Sequence, residues 1–368
     1  LPSSNRRAAL ALVLGALVAG AGAVHAQERT GDVINALQAA TGLSGDDPSA
    51  VEGPNTPSIA DISRQLVMPR FGAFARAAAR LQNIVLRRCS IDGHSSDDLE
   101  AAFVDTMFAG SAAVSLAFGS EFNRTAATSV MSPFGDEGLG RTQFAVLMGS
   151  APDGPATLTA LRSLEPSYVG LPALGYALFD MSDADGSCDL AMTLAANVAT
   201  VARTMERRWE AGLVEAQWTD PTMPAGSRRR LFDMLVGLLR TLSRTEDVLS
   251  PRPRGPLGRV SGNGQANAAF VQGRFAAMLD IASTVNAYAV PGSAADQRTQ
   301  DLMRNLRDLS IEARALTGSP SRATAATMAT QVGAMRPFVQ NDVAAAFGFA
   351  PEALVPLLDG PAPAAAPR

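Results

Sequence analysis

Along this chain apolar residues recur at spacings of three and four, and strict alternation is scarce, so the pattern predicts helices rather than strands. Val67, Phe71, Phe74, Ala78, Leu81 and Val85 fall on one stripe and predict a helix from about 59 to 86. Pro69 lies inside that stripe and predicts a kink or a restart there. Next, Ser95, Ser96, Asp97 and Asp98 form a cap cluster with acidic residues suited to a helix N-terminus, and the helix they open should reach about 118. From 119 to 168 Pro and Gly punctuate the chain, leaving room for short helices near 141–148 and 156–164. Leu190, Leu194, Val198, Val201, Met205 and Trp209 give another long amphipathic helix, which Gly212 is placed to stop. A connection over 219–226 contains Pro221 and Pro224. Beyond it, Leu231, Leu235, Leu238 and Leu242 begin a second half, interrupted over 250–258 by a loop rich in Pro, Arg and Gly. Helices then cover about 266–288, 295–316 and 322–347, with Leu302, Leu306, Leu309, Ala313 and Leu316 as the cleanest stripe. The predicted class is all-α, with two helical-bundle domains in tandem over 59–218 and 225–359.

The two ends read differently. Arg6 and Arg7 precede an apolar run over 8–24, and Val24-His25-Ala26 supplies a small-x-small cleavage site. Residues 1–26 therefore read as a secretory signal peptide, with Gln27 as the first mature residue. The run also approaches the length of a membrane-spanning anchor, but its glycines and Ala26 favour removal. The expected location is the periplasm, with no membrane anchor after cleavage. Residues 27–58, polar and rich in Gly, Asp, Ser and Pro, read as a flexible leader, and the Pro/Ala-rich 360–368 as a disordered tail.

Composition narrows the partners. A hydrophobic content of 47% with 5% aromatic residues suits helices packed through Ala and Leu. The 31 basic residues are all Arg and are scattered, and the net charge of −4 becomes −6 once Arg6 and Arg7 leave with the signal. That balance argues against nucleic acid as a partner. Cys89 and Cys188 are the two cysteines. In an oxidising compartment an isolated pair is expected to bridge, the alternative being two separate buried thiols.

Catalytic arrangements find little support. His25 leaves with the signal peptide, and His94 sits in a polar loop before a helix, so histidine-based metal binding fails for want of histidines. The acidic stretch from Asp180 to Gly186 is no EF-hand: with Gly186 at the sixth loop position, Met181 and Met192 take the first and twelfth, where oxygen ligands are required. No G-x-S-x-G elbow is present, and Gly262-Asn263-Gly264 has no Lys to complete a phosphate loop. Glu165, just before Pro166, reads as solvated, and the Arg228-Arg229-Arg230 run as a solvated face.

The segment from Gly170 to Phe179 resembles the signature of the imelysin-like family, G-x-H-x-x-E followed by an aromatic-aliphatic run. Gly170, Ala173, Leu174, Tyr176, Leu178 and Phe179 fit, whereas Pro172 stands at the His position and Gly175 at the Glu position. A His and a Glu three residues apart share a helical face and can hold a metal or a proton; Pro and Gly have no ligand atom. Leu257-Gly258 and Gly273-Arg274 resemble later elements of the family, and Phe270 stands where the family usually shows Trp. The resemblance covers roughly 59–358. It implies two helical bundles with a site near their interface, a link to iron or haem uptake, and a nominal peptidase activity. Loss of the signature His and Glu points to a non-catalytic binding or accessory protein, with no catalytic or metal-ligating residue and no cofactor unless iron or haem. Its partner would be an envelope protein or an iron or haem ligand. An imelysin-type metallopeptidase and a helical envelope scaffold are the alternatives. Leu174, Tyr176 and Phe179 are expected to line a pocket or pack beneath it rather than react.

Overall fold

A computed structural model describes residues 56–90, 96–116, 130–131, 169–181, 187–211, 226–250, 264–316 and 322–354. The predicted signal peptide, most of the leader, the tail and the short helices near 141–148 and 156–164 lie outside them. The described residues form nine helices and no strand, as the apolar spacing predicts.

Helix α1 spans 59–90 as Ile59–Ile62, a π turn Ser63–Val67 and Met68–Ser90. It opens on a capping box in which the Asp61 amide donates to Ser58 Oγ at 3.1 Å and the Ser58 amide to Asp61 Oδ2 at 3.2 Å. All six residues of its predicted stripe are buried, each side chain contributing roughly 1.5–3 kcal/mol for the larger ones. The disturbance expected at Pro69 takes the form of the π turn. There the Met68 amide donates to Ser63 O, so the ladder is already out of α register where Pro69 brings no donor.

The other elements are α2 (Ser96–Ser115), α3 (Leu171–Gly175 continuing as a π turn Tyr176–Asp180), α4 (Ser187–Glu210) and α5 (Gly226–Leu249). After them come α6 (Gly264–Asn286), α7 (Ala294–Arg314), α8 (Arg322–Pro337, a π turn Phe338–Val343, then Ala344–Ala346) and the short α9 (Pro351–Leu354). Two turns depend on left-handed glycines. Gly292, φ 78°, leads into α7 and its amide donates to Asp296 Oδ2 at 2.8 Å; Gly348, φ 76°, closes α8.

Helices α1 and α4 pack together, with Phe71 edge-on to Trp209 at 6.1 Å between ring centroids. The residues of both predicted stripes are buried except Val201, which is half-buried while Ala202 takes the buried place. The predicted Cys89–Cys188 disulfide forms and ties the end of α1 to the start of α4, with Cα atoms 5.5 Å apart.

Helices α2 and α6 differ from the rest in being apolar around most of their circumference, the mark of a helix covered on several sides. Among the described helices they share the most extensive interface. Around them α1 covers α2, while α5 and α7 cover α6 and α8 covers α5. In each sequence half the first long helix packs on the second and on the last: α1 on α2 and α4, α5 on α6 and α8. The Arg70 guanidinium also grips Asp280 Oδ2 at 2.6–2.7 Å, linking α1 to α6. Pro48–Gly348 thus form one compact unit in which helices from before and after the predicted 219–226 connection share a core. Phe349–Arg368 fall with Leu1–Asp47 in a second unit, whose described part ends in α9.

Candidate functional site

The segment resembling the imelysin signature is α3. Gly170 is its N-cap in extended geometry, and the Leu174 amide donates to Gly170 O at 3.0 Å. Pro172 falls in the first turn, where its missing N–H is one that no helix would have paired. Its fixed φ then suits the helix, and the cost of an interior Pro does not arise. After Gly175 the backbone widens into the π turn, which ends with the Met181 amide donating to Tyr176 O at 3.1 Å.

Packing fixes the segment on both sides. Asn197 of α4, itself buried, donates from Nδ2 to Val169 O at 2.9 Å. Gly110 of α2 leaves room for Leu171: a Cβ there would stand 3.0 Å from the Phe74 ring and 3.1 Å from Leu171 Cδ1. Phe179 lies edge-on to the buried Phe103 of α2, with centroids 5.3 Å apart. Leu171, Pro172, Ala173, Leu174 and Gly175 are all buried, while Tyr176 and Phe179 are half-buried. Positions 172 and 175 therefore lie in packed core. Among the described residues no three His, Cys, Asp or Glu side chains lie close enough together to hold a metal ion.

The second element of the resemblance, Gly273-Arg274, is on α6 and meets the same stretch of α2. A Cβ on Gly273 would overlap Ser111 Oγ and Phe108 O, so the two helices approach as closely as they do only because the position is Gly. Phe103 and Gly110 lie on the face of α2 toward α3, whereas Phe108 and Ser111 lie about a third of a turn round it, toward α6. Both elements thus pack on α2. Arg274 itself is buried, its guanidinium carbon 4.2 Å from the centre of the Phe270 ring. Burial, and after it the nearby charge of Arg244, lowers its pKa to about 9, with Asp247 acting in the opposite sense. The side chain is still a cation at neutral pH.

Other predicted positions fare variously. His94, Glu165, Leu257, Gly258 and the acidic loop over 182–186 lie outside the described residues. The run at 228–230 is half-buried and engaged rather than a solvated face. Arg228 Nη2 donates to Gly348 O at 2.9 Å, and Arg229 pairs with Asp233 at 3.1 Å. Arg230 lies against the phenol of Tyr288, whose pKa burial raises and Arg230 partly restores. A shallow groove of about 520 Å³ lies between Arg80, Asn83, Ile84, Arg87 and Asp98, where α1 ends and α2 begins. Sequence reasoning passed over Arg274 as a charge in the core, although a signal was present: it stands four residues after Phe270 and four before Met278, on a buried stripe.

No protein-family model matches the sequence, and no curated protein is significantly similar to it. Among solved structures, the crystal structure of an imelysin-like protein from Psychrobacter arcticum 273-4 is similar, at 15% identity and a TM-score of 0.64. The match covers 83% of this chain and 98% of that one. In agreement with the resemblance of its α3 segment, the chain has the imelysin-like fold.

Proposed function

We propose that this chain is an exported, non-catalytic binding or accessory protein of imelysin type that serves iron or haem uptake. The observation that carries the non-catalytic part is the burial of Pro172 and Gly175 in α3, where a metal- or proton-holding pair would have to stand. A site without general base, nucleophile or metal ligand has no means of activating water on a peptide bond. Export is supported by the signal-like residues 1–26 and by the Cys89–Cys188 bridge, which persists in oxidising compartments. Iron or haem as the ligand follows from the family resemblance alone.

The test is a titration of the mature protein with haem, followed by absorbance, beside equilibrium dialysis against ferric citrate and a cleavage assay on an unfolded protein. Saturable binding of haem or iron without cleavage is expected. Chelator-sensitive cleavage would replace this reading with a metallopeptidase. Neither binding nor cleavage would remove the uptake role and leave a helical scaffold.

A further inference from the structure

Arg274 is 6% exposed, and among the described residues its Nε and Nη1 atoms have no hydrogen-bond partner. Such a group is costly to bury: an unpaired ion gives up its hydration for nothing in return, and a guanidinium has five donors and no easy route to neutrality. Phe270 covers one face of the group, but a cation–π contact satisfies no N–H. Its edges remain free. The neighbouring charges do not resolve the imbalance either. Arg244 and Asp247, both exposed on α5, act on Arg274 in opposite senses, and Arg244 has the larger effect. Glu246, the other carboxylate on this turn, is held by Arg336 of α8 at 3.1 Å. Among the described residues the cluster lacks a negatively charged hydrogen-bond acceptor within reach of the buried guanidinium.

We propose that Arg274, with Arg244 at the rim, forms a binding site for a small oxyanion, a carboxylate or a phosphate, between α5 and α6. Planar N–H edges match the paired oxygens of either group, and the Phe270 ring against one guanidinium face leaves those edges open to them. Arg244 supplies the outer positive charge that draws the anion in from solvent. Asp247 opposes it, which favours a ligand that pairs with the arginines directly over diffuse counterions. The site is separate from α3 and does not depend on the iron or haem reading.

Thermal unfolding of the mature protein tests it, with sodium acetate and sodium phosphate compared against sodium chloride at equal ionic strength. The anion that fits should raise Tm by about 5 °C once in hundredfold excess over its Kd. The acetate and phosphate arms decide which of the two it is. Arg274→Met, which keeps the apolar bulk, should abolish the increment, and Arg244→Gln should weaken anion binding several-fold. Should Arg274→Met fail to fold, Arg274→Gln and the rim variant carry the same comparison. No increment with either anion, or an increment that survives both Arg274 and Arg244 substitutions, would overturn the proposal.

Discussion

Where α6 crosses α2 a missing side chain decides the geometry. Gly273 lets α6 rest on the Phe108 carbonyl of α2, and backbone cannot step aside as the end of a flexible side chain can. Gly273→Ala should therefore destabilise the fold by about 1–3 kcal/mol through overpacking, read as a lower urea midpoint at unchanged slope. Gly175 presents the other side of the same question. It occupies the signature's Glu position but lies buried on α3, so Gly175→Glu should bring an unpaired charge into the core. A loss of about 3 kcal/mol is expected by chemical denaturation. Equal stability of variant and parent would mean that the position opens onto solvent or a ligand. The sequence already shows that Pro172 and Gly175 lack ligand atoms. It does not show that Gly110, Phe103 and Asn197 pack against Leu171, Phe179 and Val169 of this segment, because those contacts join residues far apart in the chain.

Among the elements, amphipathic helices were the most legible. The stripes of α1, α4, α5 and α7 place their buried faces within a residue or two, since one apolar face repeating at helical spacing is a local signal. Helices α2 and α6 carry no such stripe, being apolar nearly all round, and it is their central position that explains the lack of a polar face. None of the π turns after Ile62, Gly175 and Pro337 was foreseen as such; a kink or restart was expected at Pro69, where a backbone donor is visibly missing. Caps act at this scale too. The Asp296 carboxylate is held below its ordinary value of 3.8, first by the Gly292 amide and then by Gln300. Its folded-state pKa is depressed, so its stabilisation is present above 3.8 and is lost as pH falls through the folded value. Asp296→Asn should accordingly unfold earlier in urea than the parent near neutral pH, and the two should converge on acidification below 3.8.

For the whole molecule, the decisive feature is that α2 and α6, one from each half of the sequence, form a shared core. An all-α class follows from apolar spacing, but the pairing of these two helices does not, because helices that are buried all round carry no directional pattern. The Cys89–Cys188 bridge was legible from compartment and number alone, and it closes a loop with a sequence separation of 99. Cys89→Ser with Cys188→Ser should lower stability by about 4 kcal/mol, measured by chemical denaturation, with little change in far-UV circular dichroism.

The central claim is that α3 retains the frame of the imelysin signature without its chemistry. Elemental mass spectrometry of the purified mature protein, after incubation with iron and gel filtration, tests it most directly. No stoichiometric metal is expected to stay bound through the positions of Pro172 and Gly175, so that Pro172→Ala leaves the metal content of the protein unchanged. Stoichiometric iron that is retained by the parent and lost on substitution in α3 would contradict it.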